Sequence, residues 1–76
     1  MEISSFLQNF ADLLDDTDTD QITPATIFRD LDEWDSLTAL SLIAMADEEY
    51  EVKLTGDDIR SSTTLQEIFD IIQSKK

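Results

Sequence analysis

The chain has 76 residues, predicted to form one domain over residues 1–76, and its 18 Asp and Glu against 5 Lys and Arg give a formal net charge of −13. Because it has no Cys and no His, its side chains offer no disulfide, no thiolate metal site and no histidine general base, and we expect no catalysis. A surface with this net charge repels nucleic acid and anionic membranes and attracts basic proteins. The sequence has no apolar run of membrane-spanning length and no pattern of a signal peptide, so we expect a cytoplasmic monomer.

The first predicted element is an amphipathic helix near the amino end of the chain. Its apolar residues recur at the three-and-four spacing of one helical face, and they are Ile3, Phe6, Leu7, Phe10, Leu13 and Leu14. Polar residues occupy the opposite face. This pattern predicts a helix that packs one side against a core.

An acidic segment follows, in which Asp and Thr alternate. Asp16, Asp18 and Asp20 have the spacing of the first ligands in an EF-hand calcium loop. The sixth position of that loop would be Gln21 instead of Gly, and the twelfth would be Ile27 instead of the bidentate Glu. We therefore expect no defined metal site here.

The connection to the next helix is long for so small a domain. Thr23 and Pro24 predict at most a short turn. Ile27, Phe28 and Leu31 are expected to attach this connection to the core, because a loop of about twenty residues without such contacts is uncommon in a compact domain.

The second helix is predicted to begin at Asp35 or Ser36, with Asp35 as a favourable N-cap, and to end at Glu49 or Tyr50. From position 37 to 46, eight of ten residues are apolar, which is more than one buried face requires. An inner stripe toward the core consists of Leu42, Met45 and Ala46, and an outer stripe consists of Leu37, Leu40 and Ala44. Either the helix is central and covered on both sides, or the outer stripe is open for a partner.

Three further elements complete the chain. Residues 50–54 alternate like a strand with no partner strand, so we expect an extended connector. Residues 55–60 predict a short helix or a turn, with acids near its start. Thr64 and Glu67 have capping-box spacing and begin a last helix that ends in Lys75-Lys76, with an apolar face of Leu65, Ile68, Phe69 and Ile72. The predicted fold is all-α, with three main helices and one short helix.

Ser36 stands between an acidic approach and the most apolar helix. A serine nucleophile needs a base such as His or a placed Lys, and neither is nearby in the sequence. As a modified residue Ser36 is better placed, because the dipole and free N–H groups of a helix start favour an attached phosphodiester. The alternative is that this serine only helps to cap the helix.

Taken together, these segments resemble the acyl carrier protein family, small acidic domains that carry 4′-phosphopantetheine on a serine. The resemblance rests on Phe28-Arg29-Asp30-Leu31, Asp35-Ser36-Leu37, Asp47-Glu48-Glu49-Tyr50, Val52-Lys53-Leu54 and Thr63-Thr64-Leu65. It implies that Ser36 bears the covalent 4′-phosphopantetheine, whose thiol carries acyl groups as thioesters. It also implies that Asp35 caps the helix and is recognised by a phosphopantetheinyl transferase.

The implied partners are that transferase and acyl-loading, elongating or acyl-transferring enzymes with basic docking patches. The residues expected to meet these enzymes are Leu37, Leu40, Ala44, Asp47 and Glu48.

Two departures from the family pattern concern the pathway. Fatty-acid carriers usually have Gly where this chain has Glu33, and Trp34 before Asp-Ser-Leu is familiar from specialised stand-alone carriers. Fatty-acid carriers also commonly have acids along the early second helix, where this chain has Thr38 and Ser41. We expect fatty-acid or specialised acyl or polyketide-type biosynthesis. The alternatives are an aminoacyl carrier of the peptidyl or D-alanyl type and an unmodified acidic helical interaction module.

Overall fold

The computed structural model describes residues 2–14 and 19–76, and all the regular elements in these ranges are helical. The α-helices are α1 (Ile3–Ala11), α2 (Ser36–Tyr50), α3 (Gly56–Ser61) and α4 (Leu65–Lys75). Single 3₁₀ turns at Thr19–Gln21 and Phe28–Asp30 lie in the connection between α1 and α2. Three main helices and one short helix confirm the predicted all-α fold.

A single core joins the three longer helices. The fully buried apolar side chains in the described ranges are Phe6, Phe10, Phe28, Leu42, Ala46, Leu65, Ile68 and Ile72, each with 0% exposure. The ring of Phe6 lies 5.6 Å from that of Phe69 and 6.3 Å from that of Tyr50, so one α1 residue contacts both α4 and the end of α2. Asn9 Nδ2 donates to Tyr50 Oη at 3.1 Å, which connects α1 to the end of α2.

The connection between α1 and α2 is attached to the core, but not by all the residues expected. Phe28 is fully buried, Leu31 is half-buried, and Ile22 is buried as well. Ile27 is 43% exposed, so its assignment as a core contact was wrong. Its contribution is made by the backbone, which forms an isolated antiparallel bridge with Thr64.

The connector after α2 is extended, as predicted, and the chain enters it through a left-handed residue. Glu51 has φ 56°. Its N–H donates to the carbonyl of Asp47 at 3.1 Å, and the N–H of Val52 donates to that of Ala46 at 3.3 Å, which ends α2. Val52 and Leu54 are then buried, at 2% and 4% exposure.

Local caps fix the starts of the last two helices. Thr55 and Asp58 form a reciprocal capping box at α3. At α4, the Thr64 side chain accepts from the N–H of Glu67 at 3.3 Å. These short polar side chains satisfy N–H groups that have no partner inside a helix, so both helices begin where the sequence predicts.

Candidate functional site

The amino end of α2 places Ser36 on the surface. Asp35 is the N-cap, and its Oδ1 accepts from the backbone N–H of Thr38 at 2.8 Å. The Thr38 hydroxyl lies 3.0 Å from both Asp35 Oδ1 and the carbonyl oxygen of Glu33. The cap is therefore built by Asp35 and Thr38, and within the described ranges Ser36 is exposed with its hydroxyl outside the cap.

The charge at this helix start is fixed by the same contacts. Hydrogen bonds from the backbone N–H and then the hydroxyl of Thr38 lower the pKa of Asp35 below its usual value. Asp35 is the cap, and the first turn of the 15-residue helix contains no acid. The N–H groups of that turn and the helix dipole favour an anionic group on the Ser36 oxygen.

A groove of about 600 Å³ opens beside Ser36, between α2 and α3. Its lining residues are Arg29, Trp34, Asp35, Ser36, Ala39, Leu40, Ile43, Gly56, Ile59 and Arg60. We call it the α2–α3 groove. Trp34 is held there by ring contacts, 4.8 Å from Phe28 and 6.3 Å from Phe10. The groove thus has an apolar wall with Ser36 at one side.

The outer stripe of α2 is open. Leu37 is 73% exposed, Leu40 is 61% exposed, and Ala44 is exposed as well. The interpretation of α2 as a helix covered on both sides is therefore wrong, and the interpretation of an open outer stripe is confirmed. The predicted acids Asp47 and Glu48 are exposed toward the carboxyl end of the same helix.

Thr38 and Ser41, where fatty-acid carriers commonly have acids, have different surroundings. Thr38 is half-buried and belongs to the cap, so its hydroxyl serves local structure. Ser41 is exposed beside Ala44 in a depression between α1 and α2 whose rim carries Asp12 and Glu48. Only the Ser41 position is available for a docking charge without a change to the cap.

Two of the three acids compared with EF-hand ligands, Asp16 and Asp18, lie outside the described residues. Among residues 2–14 and 19–76, no group of three or more His, Cys, Asp or Glu side chains is placed to hold a metal ion. Within the same ranges no helix combines the length and the apolar character needed to cross a membrane.

Sequence reasoning missed most of the groove. Ile43 was assigned to neither stripe, although it follows Ser36 by seven residues and so lies on the same side of the helix two turns later. That spacing was a usable signal. Arg29, Ile59 and Arg60 come from other elements, and no local pattern brings them to Ser36.

A family model described as the phosphopantetheine attachment site matches residues 4–72. The matched range includes Ser36, the α2–α3 groove and nearly all of the helical bundle. No curated protein gives a significant match to the chain.

Proposed function

Because the chain belongs to the phosphopantetheine attachment site family, we propose that 4′-phosphopantetheine is attached to the hydroxyl oxygen of Ser36. Domains of this family carry that group covalently, which makes the chain a phosphopantetheine-bearing carrier protein. The observation that carries the assignment to Ser36 is its position. It is the first residue of α2, it is exposed, and Asp35 makes the cap in its place.

The residues around Ser36 fit such a group. A phosphodiester on the Ser36 oxygen would lie at the positive end of α2, while the Asp35 carboxylate is engaged by Thr38. When bound, the group supplies the thiol that this chain lacks and on which acyl groups are carried as thioesters. Ser36 holds the arm by an ester bond, and Asp35 keeps the helix start in place beneath it.

The α2–α3 groove supports an apolar acyl cargo over an aminoacyl cargo. Ala39, Leu40, Ile43 and Ile59 present apolar surface directly beside the attachment site. Covering an alkyl chain with such surface is favourable by about 0.8 kcal/mol for each buried CH₂ group, whereas an amino acid's charged amine gains nothing there. We propose that the cargo is an acyl group of fatty-acid or specialised acyl biosynthesis, and that the chain itself catalyses no reaction.

The open outer stripe supports docking to partner enzymes. Leu37, Leu40 and Ala44 form the apolar part of the proposed surface, and Asp47 and Glu48 supply negative charge at its end. This combination suits a phosphopantetheinyl transferase and acyl-handling enzymes with basic patches around an apolar depression. We propose that Asp35, at the start of α2, is recognised by the transferase.

The experiment that tests the assignment is enzymatic modification followed by intact mass measurement. The purified chain is incubated with coenzyme A and a broadly acting phosphopantetheinyl transferase. We expect a mass gain of one phosphopantetheine, loss of that gain in Ser36→Ala, and retention of it in Ser41→Ala, which changes another exposed serine of the same helix. If the natural chain gains no mass while a carrier known to be modified does, the unmodified interaction module becomes the better account.

The cargo is tested on protein purified from its native host. The mass of the adduct distinguishes an acyl group from an aminoacyl group on the same arm. An aminoacyl adduct would contradict the acyl proposal and leave the attachment at Ser36 in place.

A further inference from the structure

The short helix α3 has little packing of its own. It has six residues, and Ile59 is its one buried residue. A helix of this length is unstable in isolation, because too few hydrogen bonds form to offset the ordering of its first turn. Contacts from other parts of the chain must therefore hold α3 where it forms the far wall of the α2–α3 groove.

Arg29 makes such a contact at the carboxyl end of α3. Its Nη2 donates to the carbonyl oxygens of Ile59 at 2.9 Å and of Arg60 at 2.7 Å, and also to that of Ser62. The last carbonyls of a helix lack a partner in a following turn, and among these three, within the described ranges, only that of Ile59 also accepts a cap bond, from the N–H of Ser62 at 3.2 Å. The two N–H donors of Arg29 Nη2, one of them shared, therefore add a charged partner for the three carbonyls. Its positive charge also suits the negative end of the helix.

Arg29 is exposed, but it follows a core residue and its guanidinium lies over the ring of that residue. The neighbouring residue Phe28 is fully buried, and the guanidinium carbon lies 5.1 Å from the centre of the Phe28 ring. Phe28 in turn contacts Trp34 in the groove wall. Arg29 thus connects the aromatic cluster under Ser36 to the end of α3.

A second contact holds the amino end of α3, where Gly56 also lines the groove. Lys75 Nζ lies 2.7 Å from Asp58 Oδ2 and donates to the carbonyl oxygen of Lys53 at 3.1 Å. Neither Lys75 nor Asp58 lines the α2–α3 groove, whereas Arg29, Ile59 and Arg60 all do. Of these two contacts, only the one made by Arg29 joins residues that themselves line the groove.

We propose that Arg29 is a positioning residue that fixes the carboxyl end of α3 and thereby sets the width of the α2–α3 groove. The structural part of this inference holds for the unmodified chain. Its consequence for cargo rests on the proposed function, because the wall that Arg29 fixes contains Ile59, which faces the space beside Ser36.

Arg60 provides a matched control. It is also an arginine and also lines the groove, but its side chain pairs with Asp57 inside α3. Within residues 2–14 and 19–76 this side chain makes no hydrogen bond or ion pair to a second element. Arg29→Gln and Arg60→Gln remove the same charge from the same surface of a chain whose net charge is −13. Any difference between the two variants therefore comes from the hydrogen bonds of Arg29 to the end of α3 and not from the lost charge.

The test compares these variants with the natural chain, without phosphopantetheine, by amide hydrogen exchange and by the fluorescence of Trp34, the one tryptophan in the sequence. In Arg29→Gln we expect exchange of the α3 amides to be faster by about tenfold or more, since bonds to a charged donor are strong. Exchange in α1 and α4 should stay unchanged, and Trp34 emission should shift to the red. Arg60→Gln should behave like the natural chain.

Arg29→Lys gives a second variant that keeps the charge and avoids a failure to fold. Lysine lacks the planar guanidinium fork, so we expect faster α3 exchange in this variant too. Equal exchange in the Arg29 and Arg60 variants, or acceleration in all helices alike, would overturn the proposal. Since no step uses the prosthetic group, a failure of Ser36 to be modified would leave this result standing.

Discussion

The inner and outer stripes of α2 consist of similar residues in very different surroundings. Leu42 in the inner stripe is 0% exposed, whereas Leu40 in the outer stripe is 61% exposed. The inner stripe belongs to the core that α1 and α4 share, and the outer stripe is open in the described part of the chain. One helix therefore divides its apolar residues between the core and the protein surface.

This division is costly for a chain of 76 residues. Full burial of a leucine is worth about 1.5–3 kcal/mol, and small domains have little stability to spare. A helix that leaves Leu37 and Leu40 exposed forgoes that stabilisation in the free protein. The difference between the stripes supports the proposal that the outer stripe contacts a partner.

The largest expected effect is a difference in stability between two leucine variants of α2. Leu42→Ala should lower the free energy of unfolding by about 2–5 kcal/mol, because it leaves a cavity in the core. Leu40→Ala should change it by less than about 0.5 kcal/mol, because that side chain is mostly in water. Urea denaturation of both variants measures this, and similar losses in the two would contradict the division into stripes.

Leu40, which should matter little for stability, should matter for the reaction with a partner enzyme. We expect Leu40→Ala to slow the transfer of phosphopantetheine about tenfold, since an apolar residue at the centre of an interface is worth more than about 1 kcal/mol. Initial rates at limiting protein concentration measure this. Ile27→Ala, which truncates another exposed apolar side chain outside α2, serves as the control. An unchanged rate in Leu40→Ala would remove the outer stripe from the proposed docking surface.

A smaller effect is expected from the missing acid at Ser41. Ser41→Glu should improve elongation of a short acyl cargo by a fatty-acid ketosynthase, but an exposed ion pair adds only about 0.2–1 kcal/mol, so the gain is at most roughly fivefold. Gln73→Glu adds the same charge on α4 and should give no gain. Thr38 is left unchanged because it belongs to the α2 cap. If the natural chain is already as good a substrate as Ser41→Glu, an ordinary fatty-acid carrier replaces the specialised pathway.

The smallest effect concerns pH and the cap. The pKa of Asp35 in the folded chain is lowered from its usual 3.8 by the Thr38 hydrogen bonds, so folding favours the carboxylate. This contribution is complete above the usual value and is lost as the pH falls through the lowered pKa. Asp35→Asn keeps a capping oxygen that does not titrate. We expect the melting temperature of the natural chain to exceed that of Asp35→Asn near neutral pH, and the difference to shrink in acid.

A second acid, Asp58, also titrates in this range but affects both proteins equally. The pKa of Asp58 is also lowered, chiefly by its hydrogen bond to Lys75, but this contribution is common to both proteins and cancels in the difference. A difference in melting temperature that stayed constant down to strongly acidic pH would show that the Asp35 charge does not stabilise α2.

The helix starts could be predicted because their causes are local. Asp35, Thr55 and Thr64 each cap with their own side chain, so a few neighbouring residues determine where a helix begins. The exposure of Leu40 could not be decided from sequence, because it depends on which elements pack beside α2. From the sequence, Thr38 is only a position that lacks the acid of fatty-acid carriers. The structure shows that its hydroxyl belongs to the cap of α2.

The groove beside Ser36 was beyond sequence reasoning for the same physical reason. Its walls come from α2, α3 and the loop that contains Arg29, which lie far apart along the chain. Ser36 itself was recognisable because its signal, an acid, a serine and an apolar helix, is contiguous. A contiguous pattern is enough to propose an attachment residue. The residues that surround the attached group depend on tertiary packing.

The most direct test of the central claim is to locate the phosphopantetheine within the modified chain by fragmentation mass spectrometry. The account predicts the group on Ser36 alone, with every other serine unmodified, including Ser41 on the same helix and Ser61 and Ser62 at the end of α3. Phosphopantetheine on any other serine, or its persistence in Ser36→Ala, would contradict the account.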